Sequence, residues 1–138
     1  MTSQLRSTLR TVVLPSPDAY EQDTPARRLV GEFGHDVARA QSPDHAIELL
    51  SADHTDLLVM DITNNSRNRQ LLGALSDMPL SKRPEQVAVF ADSLDVQLRD
   101  LRHRLAPTHV HMFFEPLHMH GLLGVLRHME RQSSDADA

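Results

Sequence analysis

The sequence contains no cysteine, one lysine and no long apolar run. Without cysteine there can be no disulfide, no thiolate nucleophile and no thiolate-bound zinc. No hydrophobic stretch approaches the ~20 residues of a membrane span, and the N-terminus has no signal-peptide core, so a cytoplasmic protein is expected. A phosphate-cradling glycine loop, a nucleophile elbow and a dinucleotide fingerprint are all missing, which weighs against an enzyme. Basic patches are missing too. The net charge is −5, and Arg27 and Arg28, Arg67 and Arg69, and Arg99, Arg102 and Arg104 are spread over separate segments among acidic residues. Such a field repels nucleic acid and anionic membranes.

What is present is a 138-residue chain, 40% hydrophobic and 24% charged. A chain of that size forms one core that buries roughly 68–70% of its unfolded surface. Residues 10–131 read as one domain, flanked by polar segments 1–9 and 132–138 that lack apolar periodicity and are expected to be flexible tails. Short apolar runs at Thr11–Leu14, Asp56–Asp61, Val87–Ala91 and Val110–Phe114 read as strands, with a weaker alternating strand at His35–Ala40. The runs are continuous, as expected for strands covered on both faces.

Helical periods lie between them. Thr24-Pro25 and Ser42-Pro43 are start signals, the first followed by Leu29, Val30 and Phe33 before Gly34, the second by Ala46, Ile47, Leu49 and Leu50. Further helices are expected at about Ser66–Asp77, at about Leu94–Leu105 and after Pro116. Five strands alternating with five helices imply a doubly wound α/β domain with a parallel sheet. Ligands in such sheets gather at the carboxyl ends of the strands. The residues there are Pro15, Ser16, Pro17 and Asp18; Asp61 to Asn65; Asp92 and Ser93; and Glu115 and Pro116.

With these elements in order, the chain resembles the response-regulator receiver domain. Gly34-His35-Asp36-Val37 is similar to the family's turn into strand two. Asp56-Leu57-Leu58-Val59-Met60-Asp61-Ile62 is similar to strand three with its phospho-acceptor aspartate, and Glu115-Pro116-Leu117 stands where the family has Lys-Pro-Phe. The resemblance implies a flavodoxin-like (βα)5 sheet of order 2-1-3-4-5 and a role in two-component signal transduction. It makes Asp61 the candidate phospho-acceptor and Ser93 the switch hydroxyl.

The family also uses an acidic pair after strand one to bind Mg²⁺ and a lysine after strand five. Here those places hold Pro15, Ser16 and Pro17, and Glu115. Two like charges about 4 Å apart repel by roughly 4 kcal/mol at an effective dielectric near 20, so exchanging lysine for glutamate opposes phosphotransfer on that scale. Lys82 lies in the loop before strand four, at the other end of the sheet, although Arg67 or Arg69 is near in sequence. The expectation is therefore a degenerate pseudo-receiver that is not an enzyme and needs no cofactor. It would act by protein contact with a signalling protein or histidine kinase, and as a homodimer through the face of helix four, strand five and helix five.

Two alternatives remain at this point. One is a phospho-accepting receiver using Asp61 with unusual neighbours. The other is a small α/β protein with an acidic divalent-metal site drawn from Asp18, Asp61 and Glu115, with Asp92, Glu21 and Asp23 near in sequence. His109 and His111 share one face of a strand, whereas His118 and His120 diverge if helical, and ordinary polar surface accounts for all four. Gly121 and Gly124 interrupt the last helix, either to admit a neighbouring helix or as tolerated glycines.

Overall fold

The computed structural model describes residues 9–15, 30–32, 36–62, 66–91, 95–114 and 118–137. The strands are β1 (Arg10–Leu14), β2 (Asp36–Arg39), β3 (Leu57–Asp61), β4 (Gln86–Ala91) and β5 (His109–Phe114). The helices are α1, described at 30–32, α2 (Pro43–Ala52), α3 (Ser66–Asp77), α4 (Val96–Arg104) and α5 (His118–Asp137). All four strand pairings are parallel, in the order β2-β1-β3-β4-β5. This is the flavodoxin-like, doubly wound arrangement. No described helix is long and apolar enough to cross a membrane.

Alternation along the strands builds two cores. Val12, Leu14, Leu58, Met60, Val87 and Val89 face α2, α3 and α4, meeting Leu50, Leu71, Leu72, Leu75, Leu98 and Leu101. Val13, Leu57, Val59, Ala88 and Phe90 face the other way, onto Val30 and the α5 stripe Leu122, Val125, Leu126 and Met129. A strand buried on both faces must be apolar throughout, which is why β3 reads as a continuous run. Each fully buried Leu or Val contributes about 1.5–3 kcal/mol.

Polar clasps close the amino end of the sheet. The Arg10 N–H donates to Asp56 Oδ2 at 2.8 Å, and its guanidinium Nη1 reaches Leu49 O, Asp53 O and Thr55 Oγ1. The last carbonyls of α2 and the chain entering β3 are thus held by one side chain, in the place where a helix end leaves acceptors unpaired. Lys82 is at this end as well. It closes a 3₁₀ turn (Leu80–Lys82), and its Nζ donates to Ser51 O at 3.0 Å.

Three details differ from the sequence reading. Helix α4 starts at Val96 because the Asp95 carboxylate caps it, accepting from Leu98 N at 2.9 Å. Helix α5 continues to Asp137, through the polar segment read as a tail. Once nucleated by its packed turns, a helix adds residues at little cost. Gly121 lies against a strand: a Cβ there would fall within the ring of Phe113 on β5, whereas one at Gly124 would meet nothing within 4 Å. The tail at 1–8 and the helix start at Thr24-Pro25 lie outside the described residues.

Gly121 and Gly124 should therefore respond in opposite directions to alanine. Gly121→Ala is expected to cost about 1–3 kcal/mol through overpacking, and Gly124→Ala to gain up to about 1 kcal/mol of helix propensity. Urea unfolding of the two variants measures this, and equal gains at both positions would refute the packing account.

Candidate functional site

The five strands end at a common edge. Among the described residues it comprises Ala40 after β2, Pro15 after β1, Asp61 at the end of β3, Ala91 of β4 and Phe114 of β5. Asp61 is partly buried and opposite Phe90 in register, and the next residue, Ile62, donates its N–H to Phe90 O at 2.9 Å.

Asn68 is the residue that joins this edge to a helix. It is 2% exposed, in the first turn of α3. Its Nδ2 donates to Asp61 O at 2.8 Å and to Pro15 O at 3.0 Å. One amide thus satisfies the carbonyl ends of two neighbouring strands, and the two acceptors fix which way the amide points. Sequence reading passed over it, although a signal existed. Asn68 occupies the first place of the inward stripe continued by Leu71, Leu72 and Leu75, and a polar residue on such a stripe needs a buried partner.

The two arginines near Asp61 in sequence separate. Arg69 Nη1 donates to Asp95 Oδ2 and to Gln97 Oε1, both at 2.8 Å, tying α3 to the start of α4. The N–H of Leu98 holds the Asp95 carboxyl below the usual carboxylate range, and Arg69 adds to the effect. Arg67 instead lines a cavity that also touches Pro15 and Arg39.

Of the residues singled out in the sequence, Ser16, Pro17, Asp18, Asp92, Ser93, Glu115 and Pro116 lie outside the described residues, as do Glu21 and Asp23. Asp61 is thus the one member of the candidate cation set placed here. His109 is exposed, and His111 Nε2 lies 2.9 Å from Gln86 Oε1, so His111 is engaged within the sheet. Burial pushes the His111 pKa down, and His109, Arg102 and His128 add repulsion.

Among the described residues, the side chains close enough to share a cation are elsewhere: His54, Asp56 and Glu85, at the amino end of the sheet. His54 Nε2 is 3.4 Å from both Asp56 Oδ1 and Glu85 Oε2, with His54 61% and Glu85 62% exposed. Exposed pairs of this kind contribute about 0–1 kcal/mol. The exposed His54 ring joins the turn before β3 to the turn before β4, a contact that no spacing in the sequence indicates.

No protein-family model and no curated protein matches the chain. Solved structures do. A response regulator receiver domain protein (CheY-like) from Methanospirillum hungatei aligns with a TM-score of 0.62 at 12% identity, covering 93% of this chain and 98% of that one. A CheY-like receiver domain from Methylobacillus flagellatus gives 0.61 at 14%, covering 88% and 98%. The signal receiver domain of a two-component histidine kinase from Clostridium thermocellum gives 0.59 at 18%, covering 87% and 96%. At such identities the likeness establishes the receiver fold.

Replacing Asn68 by Leu, close in size, would leave two buried carbonyls without their donor. A loss of about 1–3 kcal/mol is expected in chemical unfolding, whereas an unchanged midpoint would show that the bridge is not needed.

His111 provides a pH test. Its folded pKa is lowered from 6.5, so the unfolded chain takes up the proton first. The stability that depends on neutral His111 is complete above pH 6.5 and declines as the pH falls below it. His111→Gln should flatten the decline in unfolding midpoint from pH 7 to about 5, and parallel pH curves for variant and parent would remove His111 as its source.

Proposed function

We propose that the chain is an atypical receiver domain that acts in signal transduction through protein contact, without phosphotransfer at Asp61 and without catalysis. The receiver fold supports the general role. The finer reading rests on the carboxyl end of β1. Pro15 follows the strand directly, and its carbonyl is bound with that of Asp61 to the Asn68 amide. A carboxylate attacking a phosphoryl anion needs a cation to offset the charge that accumulates in the transition state. Next to Asp61 the chain offers a proline junction.

The other requirement is a neutralising lysine. Lys82 is the only lysine in the sequence, and it is bonded to Ser51 O at the opposite end of the sheet. With Glu115 in the place of the family's lysine, neither a metal nor an ammonium group is supplied by the residues that supply them in receivers. On this reading the partner is a signalling protein or histidine kinase that recognises the receiver surface. Self-association through α4, β5 and α5 belongs to the same proposal.

One sample tests both parts. After incubation with acetyl phosphate and Mg²⁺, denaturing mass spectrometry should show no phosphoryl adduct, and native mass spectrometry should show a dimer. A stoichiometric adduct that disappears in Asp61→Asn overturns the phosphorylation-independent reading. A monomer at every concentration overturns the homodimer.

A further inference from the structure

We propose that the cavity at the corner of β2 and α2 binds a phosphate group non-covalently, as inorganic phosphate or as a small phosphomonoester. The cavity has a volume of about 180 Å³ and is lined by both Arg39 and Arg67, together with Ser42 and Asn68, and, among the described residues, by no aspartate or glutamate. That volume is about six times a water molecule's share of the liquid, enough for a phosphate group with part of its ester or hydration.

The arginines carry the inference. A guanidinium stays protonated in proteins, so both side chains are cations in this cavity at any relevant pH. Arg39 is partly buried, and its Nε is buried with no hydrogen-bond partner. The described side chains supply neither Arg39 nor Arg67 with a carboxylate. Arg10, Arg69, Arg83 and Arg104 each donate to a named acceptor, and Arg99, Arg102, Arg127 and Arg131 are exposed, so Arg39 stands apart as a partly buried arginine with an unpaired Nε. In a chain of net charge −5 with 19 acidic residues, two arginines share a cavity that no described acidic residue lines. A buried donor left unpaired is costly, and an anion in the cavity supplies the acceptor and removes the repulsion between the two cations.

The helix adds direction. Helix α2 has ten residues and begins at this cavity, with Ser42 as its cap and Pro43 in its first turn. Its positive end favours an anion, and the guanidinium forks match the oxygens of a tetrahedral oxyanion. Two cations and a helix terminus suit a group of charge near −2, which a phosphomonoester carries at neutral pH. Asp44, on the same turn, is exposed and does not line the cavity. The inference is independent of whether Asp61 accepts a phosphoryl group, since no bond is made or broken.

The test is calorimetric titration of the full chain with inorganic phosphate and with glycerol 3-phosphate at fixed ionic strength, using the parent, Arg39→Gln and Arg67→Gln. One site is expected in the parent, weakened about tenfold or more by either substitution. Phosphate should raise the melting temperature of the parent more than that of either variant. Without phosphate, Arg39→Gln should melt no lower than the parent, because it removes a cation that lacks a partner. Arg67 is exposed, so Arg67→Gln tests the site even if position 39 proves sensitive. Equal affinity for the two probes supports free phosphate as the ligand, and tighter binding of the ester supports a phosphomonoester. Absence of binding at millimolar phosphate overturns the proposal, as does unchanged affinity in both variants.

Discussion

The hydrogen bonds from Asn68 to the carbonyls of Pro15 and Asp61 decide what the carboxyl edge of this sheet can be. In a parallel sheet covered on both faces, carbonyls at the strand ends lose their ladder partners where the strands stop, and something polar must meet them. Water, a ligand or a side chain can do so. Here a buried amide on α3 takes two of them, so the ends of β1 and β3 and the start of α3 form one fixed unit. The opposite edge is closed in the same manner by Arg10, which binds the end of α2 and the entry to β3. The sheet is thus pinned at both ends by single side chains, with apolar packing between.

This arrangement governs the electrostatics. The backbone carbonyl of Asp61 is bound to a neutral amide, and the two arginines that follow Asp61 most closely in sequence have other places. Arg69 is held by Asp95, which also caps α4, so that the charge links two helices. Arg39 and Arg67 face a cavity on the β2 side of the edge, away from β4 and β5. A phosphoryl donor approaching Asp61 and a phosphate resting in the Arg39 cavity would meet different surroundings.

Much of the fold was legible because burial on both faces forces apolar runs. Val12 to Leu14, Leu57 to Met60 and Val87 to Ala91 admit no polar interruption, and their spacing with the leucine stripes of α3 and α4 fixes a βα alternation. Edge strand β2 was less distinct, since Asp36 to Arg39 is only partly covered. The site was harder to read. Asn68 acts through a contact 53 residues away in sequence, and its place on the leucine stripe was the only local mark of it. Gly121 left open whether it admits a helix or is merely tolerated, and the ring it accommodates comes from the preceding strand, eight positions back. Arg39 gave no local sign. The unpaired state of its buried Nε is visible only in the folded chain.

The same facts explain how this fold can tolerate variation at its carboxyl edge. The two cores draw their stability from strand interiors and helix stripes, and among the described residues that directly follow a strand only Ala40 and Ile62, both apolar, belong to them. Residues at the carboxyl edge can therefore change identity while the packed interior stays as it is, provided the strand-end carbonyls keep a partner. Asn68 meets that condition without a metal or a lysine. A polar side chain on a helix stripe is thus enough to meet the folding requirement of the β1 and β3 ends.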